Sequence, residues 1–161
     1  MVWSLKTPEE IVPFRTLAQI LAAKPGAVYS VRPTDTAHAA LVAMAEKRVG
    51  FLLVLDGKAL AGVISERDYT SKLIPSGRSA RDTPVGDLMT REVVTVTLAH
   101  GVRDCVNLMD RHGIRHLPVV DGGGVVGVVS VRDLLREAVV HHDKVLQEIG
   151  RERMTIFNSA A

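Results

Sequence analysis

Two stretches of the chain, GVISERDY at Gly62–Tyr69 and GVVSVRDL at Gly127–Leu134, spell one phrase twice. Laid over each other at an offset of 65 residues, the surrounding sequence follows without a gap: Val28 on Val93, Val31 on Val96, Met44 on Met109, Leu52 on Leu117, Val54 on Val119 and Asp56-Gly57 on Asp121-Gly122. The match ends on the Ser65/Ser130, Arg67/Arg132 and Asp68/Asp133 pairs. A duplication of this length means that one supersecondary unit has been copied, so the chain folds as a tandem of two similar units.

Hydrophobic periodicity gives each unit the same order. YSVRP is a short strand, and Ala37, Ala40, Leu41 and Met44 follow at helical spacing after Asp35 or Thr36 as a cap. FLLVL and LAGVIS then flank Asp56-Gly57 and read as a β-hairpin, after which a helix begins at Ser65. The second unit repeats this with VVTV, a helix facing inward with Val102, Cys105, Val106 and Met109, LPVV, the DGGG turn, VVGVVS and a helix from Ser130. Both are strand-helix-strand-strand-helix, which makes the fold class α/β. Neither unit alone can bury enough apolar surface, so the two are expected to pack together.

These patterns divide the chain into an N-terminal segment (1–26), a first repeat (27–75), a linker with an entry helix (76–92), a second repeat (93–140) and a C-terminal helix with its tail (141–161). Thr83-Pro84 in the linker reads as a helix start. Leu134, Leu135, Ala138, Val139, Val145, Leu146 and Ile149 carry an apolar stripe past the repeat and suggest a homodimer.

With 161 residues, 47% hydrophobic, and a net charge of +2 from cations dispersed among 18 acids, this is an ordinary globular composition that does not call for nucleic acid. The single Cys105 leaves no internal disulfide and no thiolate zinc site, which fits a reducing compartment, the cytoplasm by default. MVWSLKTPEEIVPF lacks the pattern of a signal peptide, and no apolar run has the length of a membrane span.

The duplicated phrase carries two readings. Ser with Asp three residues later, where a strand becomes a helix, is a capping-box arrangement. The same helix N-terminus presents unpaired N–H groups and partial positive charge to phosphate, a nearby carboxylate can hold the two hydroxyls of a ribose, and Arg67 and Arg132 can reach phosphate oxygens.

On GVISERD, GVVSVRD, GIRHLPVVD and DLMTREVVTV, residues 27–140 resemble a pair of cystathionine-β-synthase (CBS) domains, the arrangement called a Bateman module. The resemblance implies two repeats packed about a pseudo-twofold axis, with two clefts for adenosine-containing ligands. Asp would hold the ribose and Ser would lie near phosphate. Carried over, one cleft would use Asp133, Ser130 and Val128, with Val28, Tyr29 and Val49 over the base; the other would use Asp68, Ser65 and Val63, with Val93, Val94 and Ile114. Arg115 and His116 stand where the family grips phosphate, while the first repeat has Gly50 and Phe51 there. The Asp68 cleft would then draw on Arg67, Lys72, Arg78 or Arg81, and the Asp133 cleft is expected to be the better anion site.

Other signals are weaker. GGGVVG satisfies G-x-G-x-x-G but leads into a strand instead of a helix, which makes it a hairpin turn. His112 and His116 are separated by Gly113 and lack an acidic or Cys partner for a metal, and His141-His142 are expected on a solvated helix face. Cys105 occupies a core position equivalent to Ala40. No nucleophilic triad, carboxylate pair or Walker loop is visible. The expected function is a non-enzymatic sensor of an adenine nucleotide, AMP first and ADP, ATP or NAD as alternatives, acting in trans on an unidentified effector protein. The alternatives are a ligand-free scaffold with vestigial clefts, and an enzyme or nucleic-acid binder whose site the sequence does not display.

Overall fold

The computed structural model describes residues 7–24 and 28–159. Two short helices, α1 (Pro8–Ile11) and α2 (Leu17–Ala22), precede the repeats. The first repeat comprises β1 (Ser30–Val31), α3 (Ala37–Lys47), β2 (Phe51–Asp56), β3 (Ala59–Ser65) and a helical stretch made of α4 (Glu66–Asp68), one π turn (Tyr69–Leu73) and α5 (Ile74–Ser76). Pro75 has no N–H to return to the helix, in keeping with the irregular ladder there. After α6 (Val85–Leu88) come β4 (Val96–Thr97), α7 (Val102–His112), β5 (His116–Asp121), β6 (Gly124–Ser130) and α8 (Val131–Ser159).

Each repeat builds a three-stranded sheet, ordered β1-β2-β3 and β4-β5-β6. The first strand of each runs parallel to the second, with Val31 beside Val54 and Val96 beside Val119, and β2 and β3 form an antiparallel hairpin. Leu52, Leu53 and Val54 are buried in succession, as are Leu117, Pro118 and Val119, which explains why these strands read as unbroken apolar runs: both of their faces are covered. Gly122 and Gly123 adopt positive φ in the turn before β6, so GGGVVG is a hairpin turn.

The chain forms two compact units that do not follow the repeat boundary. One runs to Thr97 from residue 28 and adds His116–Val128; its core joins Ala37, Ala40 and Met44 of α3 to Leu52, Val54, Ile64, Tyr69, Leu73, Val85 and Leu88. The Tyr69 hydroxyl donates to the Ala37 carbonyl at 2.7 Å, and burial, reinforced by the neighbouring Asp68 charge, pushes its pKa up to about 12.

The other unit holds the residues up to Lys24, Leu98–Arg115 and the chain from Val129 onward, with Leu17, Ile20, Val102, Cys105, Met109, Leu134 and Val145 buried. Here α8 packs against α7 and α1. The boundary drawn after residue 140 falls inside α8, which continues without interruption because no Gly or Pro intervenes before Gly150. Leu135, Val139 and Leu146 lie more than half exposed on it.

The helix expected to start at Thr83-Pro84 is α6, with Pro84 as its N-cap, its ψ of 147° being extended. One local expectation changes. His141 is buried instead of solvated: its ring stacks on Phe14 at 3.9 Å and its Nε2 meets the Val12 carbonyl at 2.6 Å. The N-terminal segment supplies the cover that the helix's own periodicity could not reveal.

Candidate functional site

The duplicated Ser-x-x-Asp closes the junction between sheet and helix in both repeats. In the first, Asp68 Oδ2 accepts the Ser65 backbone N–H at 2.8 Å and the Ser65 hydroxyl at 2.9 Å. In the second, Asp133 Oδ2 accepts the Ser130 N–H at 2.8 Å and its hydroxyl at 2.7 Å, while the Asp133 N–H returns to Ser130 Oγ at 3.3 Å. Preceding carbonyls complete the junction equivalently: Gly50 accepts from the Glu66 N–H at 3.1 Å and Arg115 from the Val131 N–H at 2.9 Å. Capping is therefore real in both copies.

What differs is the cation. Lys72, one helical turn beyond Asp68, pairs with Asp68 Oδ1 at 2.7 Å and also donates to the Leu88 carbonyl at 2.6 Å. The equivalent position in the second repeat is Glu137, which cannot serve Asp133. Lys24 from the N-terminal segment takes the role, placing Nζ 2.8 Å from Asp133 Oδ2. Among the described residues, the Lys24 and Ser130 contacts to the Asp133 carboxylate converge on Oδ2 and none uses Oδ1, whereas the Asp68 carboxylate has contacts on both oxygens. Burial pushes the Asp133 pKa up, but hydrogen bonds from Lys24 and Ser130 outweigh it and hold the carboxyl below its ordinary range.

Glu137 is fully buried and bound by Arg15, whose Nε donates at 2.6 Å and whose backbone N–H donates at 3.1 Å. Burial opposes its ionisation, yet these bonds and the Arg15 charge keep its pKa low. The N-terminal segment is thereby fastened to α8 at Glu137, at His141 and at Asp133.

The remaining expected residues divide between the units. With Asp68 in one unit lie Ser65, Lys72, Val63, Val93, Val94, Arg67 and Arg78, together with Val28, Tyr29, Val49, Gly50, His116 and Val128. With Asp133 in the other lie Ser130, Arg132, Ile114 and Arg115. Val63 exchanges both backbone hydrogen bonds with Thr90, and Arg78 is paired with Asp87 at 2.6 Å. Tyr29 and Val49 pack against the core, with Lys47 Nζ 5.8 Å from the Tyr29 ring centre. His116, expected at phosphate, stacks on Phe51 at 4.7 Å. Arg67, Arg115 and Arg132 are exposed. A Cβ on Gly50 would lie 2.8 Å from the flexible Glu66 carboxylate, which rests over that position.

Lys24, Arg15 and Glu137 escaped the sequence reading. The signal was present in the repeat itself: the change from Lys72 to Glu137 removes the cation from the helix turn after Asp133 and adds a second acid. Among the described residues no cluster of three or more His, Cys, Asp or Glu could hold a metal, and no helix is long and apolar enough to cross a membrane.

Comparison with known proteins finds the CBS domain family at residues 26–74 and again at 85–140. The mitochondrial CBS domain-containing protein CBSX3 of Arabidopsis thaliana is 42% identical over 121 residues, covering 72% of this chain and 59% of its own length. Among solved structures, a CBS-domain protein from Burkholderia ambifaria is 41% identical with a TM-score of 0.75, covering 78% of this chain and 95% of its own. CBSX2, solved in complex with AMP, is 28% identical with a TM-score of 0.64, covering 77% of this chain and 96% of its own.

Proposed function

This chain belongs to the CBS-domain family, carrying two repeats in tandem, and from that premise we propose that it is a regulatory module that binds an adenine nucleotide, AMP foremost, at the Ser130/Asp133 junction. The observation that carries this reading is the Asp133 carboxylate: Oδ2 is fixed by Ser130 and Lys24, while Oδ1 takes none of those bonds. A half-engaged, ionised carboxylate at the start of a long helix suits a sugar diol, and the adjacent Arg132 and Arg115 are exposed cations for phosphate. The AMP complex of CBSX2 supports the ligand class.

The module acts in the cytoplasm without chemistry of its own, through a homodimer whose contact is the exposed Leu135, Val139 and Leu146 stripe, and in trans on an effector protein. Ligand at about one hundred times its dissociation constant would stabilise the occupied form by about 2.7 kcal/mol. It shifts the protein between arrangements only by its difference in affinity for them.

The Asp68 junction supports a second reading for that half: both carboxylate oxygens and Lys72 are engaged within the protein, the arrangement of a brace. Native mass spectrometry of gently purified protein, followed by calorimetric titration with AMP, ADP, ATP and NAD, tests the proposal. A mass increment of one adenylate per chain and saturable binding support it; no carried-over mass and no heat or thermal shift with any of the four would leave the scaffold reading in its place.

A further inference from the structure

Resting on the nucleotide reading of Asp133, we infer that Lys24, which lies outside both repeats, is the charge-selecting residue of that site: it leaves Asp133 for the ligand's phosphate and so favours nucleotides over nucleosides. Three observations carry this. Lys24 Nζ is 2.8 Å from Asp133 Oδ2, the same oxygen that binds the Ser130 hydroxyl, so the ammonium sits at the head of α8 where phosphate is favoured.

Its backbone is not a loose arm. Arg15 is bound to Glu137, Phe14 stacks on His141 and the Val12 carbonyl meets that imidazole, so the segment holds Lys24 beside the carboxylate. Finally, the second repeat has Glu137, itself paired with Arg15, where the first has Lys72, so α8 offers Asp133 no cation of its own one turn on and Lys24 supplies it from outside the repeats.

A neutral nucleoside meets Asp133 with Oδ2 engaged by Lys24 and has Oδ1 for its hydroxyls. A nucleotide offers the ammonium a second anion. Phosphate thus acts twice, as a charge partner and as the group that draws Lys24 off Oδ2.

The test is calorimetric titration of the full chain and of Lys24→Gln and Lys24→Arg with AMP and with adenosine. Gln can still donate to Asp133 but carries no charge, and circular dichroism verifies that the variants fold. The expected result is an approximately tenfold loss of AMP affinity in Lys24→Gln, a change below about twofold for adenosine, and near-full retention of AMP binding in Lys24→Arg. If Lys24→Gln binds AMP as the parent does, or loses AMP and adenosine in equal proportion, the charge-selecting role is wrong and the nucleotide site stands. If the parent chain binds neither compound, the nucleotide reading itself fails.

Discussion

Phe51 and His116 occupy equivalent positions of the two repeats and stack on each other, with ring centres 4.7 Å apart and planes 11° from parallel. A ring that lies on its own counterpart joins β2 to β5 at their first residues, where the sequence comparison suggested only the loss of a cation. The pair should contribute about 0.5–1.5 kcal/mol beyond its buried area. In a double-mutant cycle of Phe51→Ala and His116→Ala measured by urea unfolding, a coupling energy in that range is expected. A coupling below about 0.3 kcal/mol would make the contact incidental.

The two Asp junctions should separate binding from stability. Asp133→Ala is expected to weaken AMP binding at least tenfold, while Asp68→Ala changes it less than about threefold. Asp68→Ala should instead lower unfolding free energy by roughly 1–2 kcal/mol, because Ser65 loses its cap and Lys72 its carboxylate. Calorimetry and urea unfolding on the same preparations distinguish these effects, and the reverse ranking in affinity would reject the asymmetry.

The Arg15–Glu137 pair makes stability depend on acid. The folded protein holds the Glu137 carboxyl below its ordinary value of 4.5, so the associated stability is complete above that value and disappears as pH falls through the folded pKa. Asp133, also held low, acts in the same direction. The melting temperature should be flat between about pH 7 and 5 and fall below about pH 4.5, with a shallower fall in Glu137→Gln. Arg15→Ala at pH 7 should cost roughly 2 kcal/mol, less than the 3–5 kcal/mol of a fully buried pair because the Arg15 side chain is 35% exposed. An acid limb equally steep in Glu137→Gln would remove this pair as its source.

How far the sequence reaches is clear from these residues. The repeats, the element order and the two caps were legible because they rest on local periodicity and on spacings within one turn, as in Ser65 with Asp68. The burial of His141 and the pairing of Lys24 with Asp133 were not, since they depend on an N-terminal segment 109 or more residues away whose packing has no period of its own. The pairing of Lys72 with Asp68 is an i,i+4 spacing that the sequence displays, whereas that of Arg78 with Asp87 crosses the linker and appears only once the chain has folded.

Cys105 is fully buried on α7, and its thiol pKa is pushed up to about 11, first by burial and then by the neighbouring Asp104 charge. Both effects suppress the thiolate that reacts with disulfide reagents. Native protein at pH 8 should react with a chromogenic disulfide on the order of a hundredfold more slowly than guanidinium-unfolded protein. Equal rates would place the thiol at the surface.

The repeats also end their first helices unequally. Arg48 closes α3 at φ 53°, and its equivalent Gly113 closes α7 at φ 62°, both in the left-handed region. A side chain there meets its own backbone, a cost that glycine avoids and that Arg48 bears. Replacing Arg48 by Gly relieves this strain but gives the unfolded chain more freedom, so the net gain should be only about 0.5–1 kcal/mol. Gly113→Ala introduces the same strain where it was absent and should cost about 1 kcal/mol. Its φ forces that cost even though the position is open, with no heavy atom within 4 Å of where the Cβ would stand. Opposite signs for the two substitutions in urea unfolding are the expected result. A loss of stability in Arg48→Gly would mean that the arginine side chain contributes more at this helix end than its backbone conformation costs.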